Sequence, residues 1–221
     1  MISRRGALAA MAAAAPAVLA GCGGKHARKA ASDPAGAPVS GVSIADNTTI
    51  MVIRHGEKPG THASGSDESG RPDAKSLTRR GWERAGALPA LFAPPKGQAL
   101  KPGIVRPRTI YAAADQGPLA GAHRMRETVT PLAWHLGITP DTTFAESQEA
   151  ALAKAALSAP QPVLICWEHS RIPAIVNALG ASNSGVPAAW PNRFDLVWVF
   201  TRTHGSWAFR QVGQHLLSGD A

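Results

Sequence analysis

The stretch from residue 48 to residue 57 is Thr48-Thr49-Ile50-Met51-Val52-Ile53-Arg54-His55-Gly56-Glu57, an apolar, β-branched run that ends abruptly in an arginine and a histidine. A run of this length and composition is typical of a strand buried on both faces, as in a parallel sheet. Ligands of open α/β sheets bind beyond the carboxyl ends of such strands. We therefore expect Arg54 and His55 to border a site, if other segments deliver matching groups to the same edge.

Strand-like and helix-like segments alternate along the rest of the chain. Apolar runs at residues 108–114 and 162–167 predict two further buried strands. Helical spacing of apolar residues predicts four helices, over residues 78–92, 123–135, 146–157 and 170–180. A closing antiparallel pair is predicted at residues 194–201 and 207–212. This order predicts an α/β fold, a three-layer α/β/α sandwich with a mixed, mostly parallel sheet.

The size and charge of the chain narrow the classes of function. Its 221 residues fit one domain with a substantial core. The formal charge is +8, but the basic residues are scattered over many segments and are not interleaved with aromatic side chains. We therefore expect no nucleic-acid partner. The excess positive charge fits an anionic substrate or an anionic membrane surface.

Residues 1–21 have the features of a signal peptide. Arg4 and Arg5 give a charged start that is similar to a twin-arginine signal, and the Ala-rich apolar segment that follows is too short to span a membrane. The sequence Leu19-Ala20-Gly21-Cys22 resembles a lipobox, in which the cysteine becomes the lipidated first residue of the mature protein. We expect an exported, lipid-anchored protein on the periplasmic side of the cell envelope, with Cys22 as the anchor. A buried apolar helix is the alternative.

A linker separates this segment from the predicted domain at residues 47–217. Residues 22–46 are rich in Ala, Gly, Ser, Pro and Lys and lack apolar periodicity, so we predict a flexible tether. Cys166 is the one cysteine besides Cys22, so no disulfide framework is expected. Because Cys166 lies in the middle of a predicted strand, we expect it to be a small buried apolar group.

Basic and imidazole side chains follow all three predicted parallel strands. Arg54 and His55 follow the first strand, Arg124 lies in the first turn of the helix after the second, and Glu168 and His169 follow the third. The carboxyl ends of parallel strands meet at one edge of a sheet. Two guanidinium and two imidazole groups at that edge would form a pocket for a dianion, because arginine offers bidentate donors to phosphate oxygens.

Four motifs in these positions resemble those of the histidine phosphatase superfamily, which has the phosphoglycerate mutase-like fold. They are Arg54-His55-Gly56-Glu57, Leu77-Thr78-x-x-Gly81, Arg124-Met125-Arg126-Glu127-Thr128 and the strand of residues 163–169 that delivers a second histidine. The third motif is similar to the Arg-Ala-x-Gln-Thr segment of the family, which puts the second pocket arginine at Arg124 and not at Arg126. The motifs occur in family order and span nearly all of the predicted domain.

The resemblance implies a phosphomonoesterase acting on a small phosphorylated substrate. His55 would take the phosphoryl group and form a phosphohistidine that water then cleaves. Arg54, Arg124 and His169 would hold the phosphoryl oxygens and stabilise the charge of the transition state. Glu57 would contact the substrate. The resemblance implies neither a metal ion nor another cofactor.

The proton donor to the leaving group is where the chain departs from the family pattern. The mutase branch has a glutamate after the second arginine, in a Gly/Glu-rich segment with no counterpart at residues 131–144. The acid phosphatase branch has an aspartate directly after the second histidine, where this chain has Ser170. Glu168 is the favoured donor, with Glu57 and Glu146 as alternatives. Neighbouring residues of a strand point to opposite faces, so Glu168 can serve only if the strand ends before it.

Two other interpretations stay open. A catalytically silent phosphate- or phosphosugar-binding lipoprotein would keep the pocket without turnover. A metal site would use His55, His169, Glu57 and Glu168 as ligands. Mutase activity on glycolytic intermediates is disfavoured, because export would separate the protein from those substrates. Five other histidines show no metal-ligand spacing and are expected to be surface or packing residues: His62, His123, His135, His204 and His215.

The lipid anchor gives the first prediction. The variant Cys22→Ser lacks the thiol that would be acylated. It should leave the membrane fraction, because in the wild type the lipid chain would be the main link to the bilayer. The measurement is the distribution of the protein between membrane and soluble fractions. A variant that partitions like the wild type would show that Cys22 is not a lipid anchor.

Overall fold

A computed structural model of the protein describes residues 45–221. The predicted signal peptide, Cys22 and nearly all of the predicted tether therefore lie outside the described residues, and what the sequence predicts for them stays a prediction. Within the described range, no helix combines the length and the apolar character needed to cross a membrane.

The described part of the chain is built on one five-stranded mixed sheet. The strands are, in chain order, β1 (Thr49–Arg54), β2 (Thr109–Ala112), β3 (Val163–Trp167), β4 (Leu196–Thr203) and β5 (Ser206–Gly213). They lie side by side in the order β2-β3-β1-β4-β5. The pairs β1/β3 and β2/β3 are parallel, whereas β4 is antiparallel to both β1 and β5. Four of the five strands therefore run in one direction, as predicted.

Four α-helices cover the sheet within the described range. They are α1 (Arg79–Phe92), α2 (Arg124–Leu136), α3 (Glu149–Ser158) and α4 (Ile172–Ala178). Helix α1 packs on α2, and α3 packs on α4. Strand β3 is buried at every position and β1 at every position but its first, so both faces of the sheet are covered. The predicted α/β fold is confirmed.

The ends of two helices follow from local chemistry. Thr78 has extended backbone angles, and its hydroxyl accepts a hydrogen bond from the backbone N–H of Gly81 (3.2 Å), so it is the predicted N-cap of α1. Helix α2 ends at Gly137, whose φ of 66° is the left-handed conformation that glycine adopts without strain.

Several element boundaries differ from the prediction, among them those of α3, β2 and the last hairpin. Helix α3 begins at Glu149 and not at residue 146, because Ser147 has a φ of 95° and the Gln148 side chain accepts a hydrogen bond from the backbone of Ala145. Strand β2 is shorter than predicted, since the N–H of Ala114 donates to the carbonyl of Phe144 outside the sheet. The last hairpin starts two residues later than predicted, which leaves Phe194 in the loop before β4.

Candidate active site

The carboxyl ends of β1 and β3 bring three of the predicted residues together. The backbone N–H of His55 donates to the carbonyl of Trp167 (3.2 Å), which extends the parallel ladder by one residue. One side-chain nitrogen or oxygen atom each of His55, Glu168 and His169 lies within 4.8 Å of the other two. Because β3 ends at Trp167, Glu168 and His169 lie in the turn before α4, where adjacent side chains can face the same pocket.

His55 is buried, and its ring is held in one tautomer. The side chain is 1% exposed, and Nδ1 lies 2.7 Å from the carbonyl oxygen of Gly56. Because a carbonyl can only accept a hydrogen bond, Nδ1 carries the proton in the neutral ring and Nε2 keeps a free lone pair. Burial and, to a smaller extent, the charges of Arg54 and Arg124 lower the pKa of His55 to about 3, although the hydrogen bond to the Gly56 carbonyl opposes this shift. The ring is therefore neutral at physiological pH.

Arg54 and Arg124 supply buried donors that have no partner. The Nε atoms of both side chains are buried and make no hydrogen bond. The Arg54 guanidinium carbon lies 3.9 Å from the ring centroid of Phe194, and Arg124 donates through Nη1 to the carbonyl of Ala74 (3.1 Å). Burial lowers the pKa of both arginines, which nonetheless remain charged. Buried donors without partners are costly, so this pocket favours an anion that accepts hydrogen bonds.

Glu168 lies directly against the second histidine. Its carboxylate contacts Nδ1 of His169, although the contact lacks the geometry of a hydrogen bond. The same carboxylate accepts hydrogen bonds from the backbone N–H (2.7 Å) and the hydroxyl of Ser170. Burial opposes ionisation, but the Ser170 hydrogen bonds and His169 hold the pKa of Glu168 below its usual value. Burial and Arg54 lower the pKa of His169. Glu168 is therefore an ionised carboxylate at neutral pH.

Glu146 is a second carboxylate beside the pocket, and its surroundings shift its pKa in the opposite direction from that of Glu168. Burial raises the pKa of Glu146, and the negative charge of Glu168 raises it further against the attraction of Arg124 and Arg171. Its Oε1 atom lies 3.0 Å from the position that a Cβ on Gly121 would occupy, so the glycine leaves room for the carboxylate. Glu146 thus favours the protonated form more than Glu168 does.

The loop that carries His55 is held from two sides by backbone hydrogen bonds. The N–H of Gly56 donates to the hydroxyl of Thr128 (2.8 Å), and that hydroxyl donates to the carbonyl of Arg124 (2.6 Å). The carbonyl of Glu57 accepts from the backbone (2.9 Å) and hydroxyl (3.1 Å) of Thr78. A Cβ on Gly81 would lie 2.6 Å from that same carbonyl, so only glycine allows this approach. The sequence motifs contain these residues, but their contacts were not predicted.

Glu57, a predicted substrate contact, takes part in ion pairs within the protein. Its carboxylate accepts hydrogen bonds from Arg84 (2.8 Å) and Arg80 (3.2 Å), and the buried Arg84 also pairs with Asp220 (2.8 Å). A direct contact between Glu57 and substrate would require these ion pairs to break. The sequence carried no signal for this network, because Arg84 and Asp220 are far apart along the chain.

Two further predictions concern residues around the pocket. Arg126 pairs with Asp115 (2.6 Å) and Glu68, which agrees with the choice of Arg124 as the second pocket arginine. In residues 45–221, the group with the spacing of a metal site is His55, Glu168 and His169, without Glu57. The positive charges of Arg54 and Arg124 act on His55 and would oppose a divalent cation there.

Comparison with known proteins gives similarity in structure but not in sequence. No family profile and no curated protein matches the chain. It is similar to three solved phosphatases, each at a TM-score below 0.5. A candidate alpha-ribazole-5′-P phosphatase from Escherichia coli is 12% identical and has a TM-score of 0.46, covering 79% of this chain and 100% of its own.

The other two structures have similar coverage. The phosphohistidine phosphatase SixA assigned in Nakamurella multipartita is 15% identical, with a TM-score of 0.44, and the match covers 80% of this chain and 100% of that one. A histidine-to-alanine variant of a phosphoserine phosphatase from Entamoeba histolytica, bound to phosphoserine, is 12% identical with a TM-score of 0.43. That match covers 77% of this chain and 99% of the other.

The buried neutral His55 predicts a specific dependence of stability on pH. Its pKa is about 3 in the folded protein and near 6.5 in the unfolded chain, so only the unfolded chain gains a proton between these values. We expect the wild type to lose about 1.4 kcal/mol per pH unit from this residue as the pH falls below 6.5. In His55→Asn, which can still donate to the Gly56 carbonyl, that part of the slope should vanish.

Urea unfolding at several pH values between 7 and 4 measures this difference. The exposed His62 provides the matched control, since His62→Asn should keep the wild-type slope. Equal slopes for the wild type and His55→Asn would mean that His55 is not held neutral by burial.

Proposed function

We propose that the protein is a phosphomonoesterase of the histidine phosphatase superfamily, with His55 as the nucleophile. One observation carries the proposal. A buried neutral histidine with a free Nε2 lone pair stands beside two guanidinium groups whose buried Nε atoms have no partner. A phosphoryl group would satisfy those donors with its oxygens and present its phosphorus to the lone pair. The phosphatase names of the three similar structures agree with this function but do not carry it.

The first half of the reaction transfers the phosphoryl group to the enzyme. The Nε2 atom of His55 attacks phosphorus as the bond from phosphorus to the leaving oxygen breaks, and the leaving oxygen takes a proton from a carboxylic acid. Arg54, Arg124 and His169 hold the three other phosphoryl oxygens and stabilise their charge. The proton stays on Nδ1, which donates a hydrogen bond to the Gly56 carbonyl, so the carbonyl oxygen stabilises the positive charge that the ring gains.

The second half returns the enzyme to its starting state. Water attacks phosphorus, the bond between Nε2 and phosphorus breaks, and inorganic phosphate leaves. The carboxylate that gave up its proton in the first half takes a proton from the attacking water, and His55 is again neutral. The same carboxyl group therefore serves as acid and then as base.

The electrostatics favour Glu146 as this carboxyl group over Glu168, the residue favoured from sequence. A general acid must hold a proton at the working pH, and burial raises the pKa of Glu146. The pKa of Glu168 is instead held below its usual value, so it suits a fixed negative charge against His169. Two carboxyl groups at the pocket favour turnover over the silent binding lipoprotein, which rested on the lack of an obvious acid.

We propose a small phosphorylated substrate for this site. The proposed location of the protein is the periplasmic side of the cell envelope. Export and lipid attachment at Cys22 rest on the sequence of residues 1–22 alone. A lipid anchor would hold the enzyme at a membrane while the domain meets phosphate esters outside the cytoplasm.

Turnover of an aryl phosphate tests the proposed function. The wild type should release inorganic phosphate, and His55→Asn should reduce the rate to background because the nucleophile is gone. His62→Asn, at an exposed histidine, should leave the rate unchanged. A wild type that binds phosphate without turnover would favour the silent lipoprotein, and loss of turnover on adding a chelator would favour the metal site.

The choice between Glu146 and Glu168 has its own test. Loss of a general acid slows a poor leaving group much more than a good one, so we compare an alkyl phosphate with an aryl phosphate bearing a nitro group. Glu146→Gln should slow the alkyl ester by about 10²–10⁴-fold and the aryl ester far less. Glu168→Gln should slow both esters by similar factors. The reverse pattern would make Glu168 the proton donor.

A further inference from the structure

A second cavity, of about 280 Å³, lies at the opposite end of the central strand from His55. Ser184, Arg202, Ser206 and Trp207 line it. The backbone N–H of Arg202 donates to the carbonyl of Thr48 (2.9 Å), directly before β1 begins. Since β1 has six residues and a strand rises about 3.3 Å per residue, this cavity is separated from the active-site edge by roughly 20 Å.

The distribution of unpartnered donors singles out this cavity. In residues 45–221, five buried side-chain nitrogen or oxygen atoms make no hydrogen bond. Three of them belong to the active site, on Arg54, Arg124 and His169. The other two are Nε of Arg202 and the hydroxyl of Ser184, and both residues line the second cavity. Native structures leave few buried polar groups unpaired, so a pair in one cavity points to an absent hydrogen-bonding partner.

The charge of the cavity indicates what kind of partner it would bind. No carboxylate is among its lining residues, and Arg202 forms no ion pair within the described part of the chain. The Asp46 carboxylate accepts a hydrogen bond from the backbone of Gly205 (3.1 Å), which lines the cavity, but it forms no ion pair with Arg202. A guanidinium group without an ion-pair partner, together with hydroxyls, favours an oxyanion.

Trp207 gives the cavity a fixed aromatic wall. Its indole N–H donates to the carbonyl of Leu179 (3.1 Å), which sets the orientation of the ring. The guanidinium carbon of Arg202 lies 5.8 Å from the ring centroid, within the range of a cation–π contact. The ring of Trp207 is therefore held in place beside Arg202, and the cavity is larger than a bare phosphate ion, so it leaves room for an ester substituent against the ring.

We propose that this cavity binds a phosphate ester group, with Arg202 and Ser184 as the donors to its oxygens. The ester could be a free small molecule or the headgroup of a phospholipid. The chain enters the domain at this edge, where the N–H of Asn47 donates to the carbonyl of Arg202 (2.8 Å). The site does not depend on the chemistry at His55, so it stands or falls separately from the proposed phosphatase activity.

The test is a nuclear magnetic resonance titration of the full chain carrying Cys22→Ser and His55→Asn, labelled with ¹⁵N, because loss of the proposed nucleophile keeps the added ester intact. The indole N–H signal of Trp207, assigned with Trp207→Phe, should shift and saturate as glycerol 3-phosphate is added. Arg202→Gln and Ser184→Ala should each weaken this binding by tenfold or more, while side-chain signals of Arg54 still shift. The control is Arg210→Gln, an exposed arginine on the same hairpin, which should bind as the wild type does.

Both variants are expected to fold, because neither loses a side-chain hydrogen bond that the protein makes. No shift of the Trp207 signal, or an unchanged affinity in both Arg202→Gln and Ser184→Ala, would overturn the proposal. Sedimentation with vesicles of phosphatidylglycerol or of phosphatidylcholine separates the two sources. Binding to the anionic vesicles that Arg202→Gln abolishes identifies a lipid headgroup, whereas binding confined to glycerol 3-phosphate identifies a soluble ester.

Discussion

The hydrogen bond between Nδ1 of His55 and the carbonyl of Gly56 is the interaction on which the proposed chemistry depends. The hydrogen bond is 2.7 Å long, and the His55 side chain that donates it is buried. This hydrogen bond leaves Nε2 as the only nitrogen of that ring with a free lone pair. Burial keeps that lone pair free of a proton at neutral pH. Because the acceptor is the backbone carbonyl of the next residue, no further side chain is needed to hold the tautomer. The hydrogen bond forms only if the Gly56 backbone is fixed.

Two helices fix that backbone, and one of them, α2, also delivers Arg124 to the pocket. The hydroxyl of Thr128 joins the N–H of Gly56 to the carbonyl of Arg124, so the nucleophile and the second arginine are linked through one side chain. On the other side, Gly81 and the cap residue Thr78 of α1 pack against the carbonyl of Glu57. A movement of either helix would therefore shift His55 relative to Arg124, which couples the packing of the fold to the geometry of the pocket.

The sequence predicted the fold and the positions of the pocket residues because both depend on local patterns. Buried strands are continuous apolar runs, and the polar side chains at the carboxyl ends of β1 and β3 could be placed at one edge by topology alone. What sequence could not predict depends on contacts between distant residues. The ion pairs that hold Glu57 involve Arg84 and Asp220, and the preference for Glu146 follows from burial that only the folded chain defines.

The position of the phosphoryl group on the enzyme tests the central claim most directly. The wild type is mixed with an aryl phosphate, quenched in alkaline denaturant, which preserves phosphohistidine, and analysed by peptide mass spectrometry and ³¹P nuclear magnetic resonance. Since Nδ1 is held by the Gly56 carbonyl, we predict one phosphoryl group, on Nε2 of His55. A phosphoryl group on Nδ1 or on another residue, or none while turnover proceeds, would contradict the proposed role of His55.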